Sequence, residues 1–258
     1  MNEDEAFIRA VVDNPGEDTP RLVYADWLDD RSDPRGPYLR AEWEWARTGK
    51  KVKALRAGGV ALDPVWVYRV SRPPVGICFR LPIMEKGAHV PSLSRADVDE
   101  CGKQYGGFPS QYVAFLLNYD GYGLVEAVDF DDGGIEEFCS ISGGFTIGEL
   151  VANIEFEYEE DGLQQSFYSL PQSRLPIAFM TEYGIGDYYS AVVIVKGKRS
   201  PCSIDYYSNP LANDVPIDEA ESPRNCYKRL ASSLPVLIQM IEDCFEPDDS
   251  EPEESSHE

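Results

Sequence analysis

The chain has 258 residues, of which 43% are hydrophobic, enough for one large domain or two modest ones with packed cores. Its formal charge of −23 lies far outside the roughly 2–8 of an ordinary small domain. A phosphate backbone would repel such a surface, so nucleic-acid binding is disfavoured; the charge suits a basic protein partner, or serves solubility alone.

Residues 1–47 read as a compact helical unit. Phe7, Ile8, Val11 and Val12 form the apolar stripe of a first helix, which Asn14-Pro15-Gly16 ends. Thr19 is expected to cap a second helix with Pro20 at its first position, lined by Leu22, Val23, Trp27 and Leu28. A turn at Asp33–Pro37 leads into a third helix from Tyr38 to about Arg47. Residues 48–64 read as a basic connector holding Lys50, Lys51, Lys53 and Arg56, with cations suited to the end of the helix before them. Between Val65 and Met84 the β-rich residues predict two short strands, parted by Pro73-Pro74.

Ser94 is placed to cap a short helix reaching about Tyr105, with Asp97 in its first turn. The next helix carries the clearest pattern of the chain. Tyr112, Phe115, Leu116 and Tyr119 recur at i, i+3, i+4 and i+7, with Phe115 at the centre of the stripe. Pro109 fits its start, and Asn118 and Gly121 its stop. Strands are expected at Leu124–Phe130, Leu175–Met180, Tyr188–Lys196 and Ser203–Tyr207, and Thr146–Glu149 fits a capping box. Leu234, Leu237, Ile238, Ile241 and Phe245 predict a closing helix capped by Ser233. The tail 246–258, rich in acids and without a large apolar residue, is expected to be disordered.

Two stretches carry family resemblances. Residues Ala6–Ala10, Asp18–Arg31 and Asp33–Gly36 resemble the short repeat-companion domain found at the N-terminus of many bacterial proteins. That resemblance brings no established activity. From about Pro91 to Glu246 the chain resembles the SUKH superfamily, the group of the Smi/Knr cell-wall regulators and of many toxin-immunity proteins. The matching phrases are Phe108–Leu116, the stop at Asn118–Gly121, Leu175-Pro176-Ile177 followed by Gly184–Asp187, Ile204–Tyr207 and Ala231-Ser232-Ser233. The resemblance implies an α+β fold over 65–245, a SUKH-like mixed sheet flanked by helices, preceded by the small all-helical domain. The double Gly usual after the first phrase is broken by Tyr119 and Tyr122, and the aromatic-acid strand lacks a Trp.

Candidate chemistry is thin. Gly184-x-Gly186-Asp187 lacks the rest of a phosphate loop and reads as a hairpin turn. Asp129–Gly133 imitates a calcium loop only in part. Six cysteines occur without CxxC spacing, and His89 and His257 are the only histidines, so a zinc site or a cysteine nucleophile with its base is not expected. Trp27, Trp43 and Trp45 read as packing anchors. No leader or membrane span stands out, which points to the cytoplasm and reduced thiols.

What remains is a surface. Asp131, Asp132, Glu136 and Glu137, with Tyr122, Asp187, Tyr188 and Tyr206, are the candidate partner-binding residues, since tyrosine beside acids suits a protein-binding face. A solvated acidic face and ordinary β propensity are the plainer readings. The expected function is non-enzymatic protein binding without a cofactor: an immunity protein that neutralises a cognate toxin, the partner being a basic toxin domain. The alternatives are a regulatory adaptor docked through the helical unit, and an uncharacterised enzyme.

Overall fold

The structure, a computed structural model, describes residues 3–50, 52–85, 93–104, 106–119, 123–130, 139–144, 155–156, 165–166, 174–182, 189–195, 203–208 and 227–245. It is an α+β fold: helices dominate the first half, an antiparallel sheet the second, and a helix closes it. No helix among the described residues is long and apolar enough to cross a membrane.

Helix α1 spans Glu3–Asp13, α2 Thr19–Asp29 and α3 Arg35–Thr48. Two details differ from expectation. Asp18, not Thr19, sits at the N-cap of α2, and its side chain makes no cap bond. The inward face of α2 is Arg21, Tyr24, Ala25 and Leu28, while Val23 is 48% exposed and Trp27 only half-buried. A buried arginine turns the helix away from its purely apolar stripe. Helix α3 begins at Arg35, three residues before the expected start. It ends where Gly49, at φ +66°, supplies a left-handed cap whose N–H bonds Trp45 O.

The expected connector is itself helical. Helix α4 spans Val52–Gly59 and buries Leu55. The expected strand pair over 65–84 is also corrected. Asp63 accepts the N–H of Val65 and Pro64 occupies the first position, so Pro64–Val70 starts as helix α5 despite its β-branched content. Residues 71–83 run irregularly against it, pinned by Ile77 N–H to Tyr68 O and Cys78 N–H to Ser71 O, and bury Ile77, Cys78 and Phe79. Only Met84–Glu85 forms a strand, β1.

Helix α6 covers Arg95–Gln104, with Ser94 and Asp97 exchanging the expected cap bonds. Helix α7 covers Ser110–Tyr119. Its Tyr112, Leu116 and Tyr119 are buried as the stripe predicts, but Phe115 is half-buried, lying across Tyr112 and Tyr119. Helix α8, Leu234–Phe245, buries Leu234, Leu237, Ile238 and Ile241, and the Ser233 hydroxyl accepts from Val236 N–H. Gln111 of α7 adds an acceptor for Leu234 N–H, tying the two helices end to side.

The strands are β2 (Gly123–Phe130), β3 (Cys139–Gly144), β6 (Arg174–Glu182), β7 (Tyr189–Val195), β8 (Ser203–Ser208) and β9 (Tyr227–Ala231). A separate pair joins β4 (Glu155–Phe156) to β5 (Gln165–Ser166). The large sheet has the order β1-β2-β3-β6-β7-β8-β9. Where a mixed sheet was expected, every described pairing is antiparallel. Most neighbours follow one another in sequence, and short connections join antiparallel strands, not parallel ones.

One hydrophobic cluster runs from Ile8 and Tyr24 through Leu55, Ile77 and Tyr112 to Ile204 and Ile241. The boundary drawn at 47–65 therefore passes through a shared core. The capping box at 146–149 and the tail 246–258 lie outside the described residues.

Candidate functional site

The sheet organises the acidic candidates. Phe130, the last residue of β2, pairs with Cys139, the first of β3, and Cys139 pairs with Glu182, the last of β6. Tyr189 opens β7 beside Thr181; Ser208 closes β8 beside Ser190; Tyr227 opens β9 beside Tyr207. These strand ends form one end of the sheet. The segments joining them are 131–138, with four carboxylates, 183–188, with one, and 209–226, with four carboxylates and a single arginine. Asp131, Asp132, Glu136, Glu137, Asp187 and Tyr188 belong to these segments and lie outside the described residues. Tyr122 lies outside them too, but Gly123, which follows it, begins β2 at the opposite end of the sheet. Tyr206 lies within β8, between Val192 and Lys228. Its neighbour Asp205 is buried and accepts from Arg229 Nε at 2.7 Å, a cross-strand ion pair whose arginine is 61% exposed.

A second constellation was not legible in the sequence. It is built from arginines on apolar faces. Arg21 is 1% exposed and its Nη1 lies 3.1 Å from Glu42 Oε2, itself fully buried. The same guanidinium donates to Val70 O and, at 3.3 Å, to Cys78 Sγ. Glu42 Oε1 also accepts Arg72 N–H. Arg69 forks onto Glu5 at 2.8 and 2.6 Å and reaches Asn118 Oδ1, while Asn118 returns a bond to Arg69 O. Arg35 gathers Asp33, Asp4 and Tyr24, and Trp66 donates to the Tyr24 hydroxyl. The only sequence signal was a charge inside an apolar run, as in Val67-Tyr68-Arg69-Val70.

These groups are poor acids and bases. Hydrogen bonds from Arg35 hold Asp33 below its ordinary range. Burial raises the Cys78 thiol and the Tyr119 hydroxyl, and pushes Tyr38 up to about 12. A carboxylate held by a permanently charged guanidinium is not free to move a proton, and a thiol kept protonated is a weak nucleophile. Among the described residues, no group of three or more His, Cys, Asp or Glu is placed to hold a metal ion.

Glu242 shows the effect of burial on one of these acids. It is fully buried on α8, and accepts from the backbone N–H of Arg80 and, at 2.7 Å, from its Nε. Burial raises its carboxyl above the ordinary 4.5, and the bonds from Arg80 only partly oppose this. The folded chain therefore holds this proton more tightly than the unfolded one. The resulting stability is full below pH 4.5 and declines as pH rises through the raised folded value. Glu242→Gln removes the titration. The stability of the native protein minus that of the variant should fall as pH rises above 4.5, measured by urea unfolding at each pH. A constant or rising difference would contradict this.

Comparison with protein-family models, with curated proteins and with solved structures finds no match to this chain.

Proposed function

We propose that the chain is a non-enzymatic, cytoplasmic protein-binding protein of the immunity type, with a SUKH-like α+β body that covers the active surface of a basic toxin domain. One observation carries this reading: of the three connections that join strands at the same end of the sheet, two hold four carboxylates each and the third holds Asp187. Carboxylates carried on a rigid scaffold attract a partner of the opposite sign and orient its approach. The net charge of −23 extends that field over the molecule. Of the described arginines, Arg9, Arg21 and Arg69 are buried and bond carboxylates or carbonyls of the chain itself.

The test is protection. A basic toxin is expected to be encoded beside this chain, and cells expressing that toxin should survive when the chain is co-expressed and die without it. Death in both cases would remove the immunity reading.

A further inference from the structure

The unit α1–α3 holds the following segment by side-chain bonds, such as the Arg69 fork onto Glu5 and Trp66 Nε1 to the Tyr24 hydroxyl, and by its main chain. From α1, Arg9 Nη1 donates to Asn118 O at 2.8 Å and Nη2 to Leu117 O at 2.9 Å. Both carbonyls lie in the last turn of α7, where the helix has no partner for them. From α2, Arg21 donates to the carbonyl of Val70, the last residue of α5. Each of two helices thus offers one buried arginine to the carboxyl end of another. Arg9 is 8% exposed, and no carboxylate among the described residues lies within salt-bridge distance of it. Its countercharge is the negative end of the α7 dipole.

Glu42 of α3 completes the grip. It neutralises Arg21 and accepts the N–H of Arg72, two residues beyond the end of α5. In return Arg72 donates to Pro15 O, in the loop between α1 and α2. Aromatic rings bed the contact: Trp66 of α5 meets Tyr24 and Tyr38 edge-on. Buried arginine and aromatic anchors are the residues that dominate docking between separate proteins.

We propose that residues 3–48 are a docking module for the carboxyl-terminal ends of a helix pair. It meets them through three backbone carbonyls and through the Arg69 and Trp66 side chains, and in this chain it is occupied by α5 and α7. Its selectivity comes from the spacing of the two helix ends, the aromatic bed and the Arg69–Glu5 pair, because a carbonyl carries no side-chain identity. An outside partner reaches this surface only by displacing α5 and α7. The toxin-facing surface is therefore elsewhere on the molecule, and the proposal does not depend on the immunity reading.

The test uses the full chain with a specific protease site at the exposed Gly49-Lys50 link between α3 and α4. After cleavage of the folded protein, the two pieces should co-elute on gel filtration and separate slowly on dilution. Arg9→Met keeps an apolar stem and removes both donors, so the pieces should separate about tenfold faster or more. Arg9→Lys keeps the charge without the fork and should fall between them. It also decides the matter if Arg9→Met fails to fold. Separation of the native pieces on cleavage would overturn the proposal. So would release of the folded variants at the native rate.

Discussion

Replacing Glu42 by Ala should cost about 3–5 kcal/mol of folding stability, the loss typical when one member of a buried ion pair is removed. The size follows from what is left behind. Arg21 stays buried and charged, because a guanidinium does not give up its proton. Its remaining partners are a carbonyl and a sulfur, which cannot balance a full charge in a low-dielectric interior. The Arg72 N–H loses its acceptor as well. Urea unfolding checks the value. A loss below about 1 kcal/mol would mean that water or another acid reaches Arg21. Glu42→Gln should be milder, since it can still accept the Arg72 N–H, but it too leaves the arginine charge unbalanced.

Leu116→Ala should cost about 2–5 kcal/mol, the range for removing a buried leucine side chain. Leu116 is fully buried on α7, a helix flanked by α5 and α8 and held at both ends. Its amino-terminal part gives Gln111 to the cap of α8, and its carboxyl end receives Arg9 and the Arg69–Asn118 bonds. Such a helix cannot easily shift to fill a cavity, so the loss should lie in the upper part of that range. Phe115→Ala should cost less, because half-burial already leaves part of that ring in water. A larger loss at Phe115 than at Leu116 would show that the helix is rotated relative to α5 and α8.

The helices were legible where a periodic apolar stripe coincided with a cap, as at Ser94, Ser233 and the Tyr112–Tyr119 stripe. They were misread where those signals conflicted. In Val65–Val70 the strand expectation rested on the β-branched residues alone, whereas the Asp63 cap with Pro64 at the first position starts a helix. On α2, apolarity placed Val23 and Trp27 inward, whereas Arg21 takes the inner position with Tyr24 and Leu28. A buried arginine is invisible to periodicity because its partners are distant in sequence: Glu42 lies 21 residues away and Val70 lies 49. Strand β9 also escaped, since Lys228 and Arg229 break its apolar pattern. Charges of that kind are ordinary on the edge of a sheet.

Of the candidate surface, the sequence showed its composition and the strands show its assembly. Acids at 131–137 and at 187 are about fifty residues apart, yet Phe130, Cys139, Glu182 and Tyr189 bring their flanking strands to one sheet end. Register decides that, and register cannot be read from charge.

Association kinetics with the proposed partner, a basic toxin domain, at about 50 and 500 mM salt, test the role of this acidic end most directly. The on-rate should fall by about tenfold or more at the higher salt, while the off-rate changes much less. Reversal of Asp131, Asp132, Glu136 and Glu137 to Lys should lower the on-rate at low salt and leave the unfolding midpoint unchanged within error. Binding that is independent of salt, or a charge-reversed variant that associates as fast as the native protein, would contradict electrostatic capture by the acidic end of the sheet.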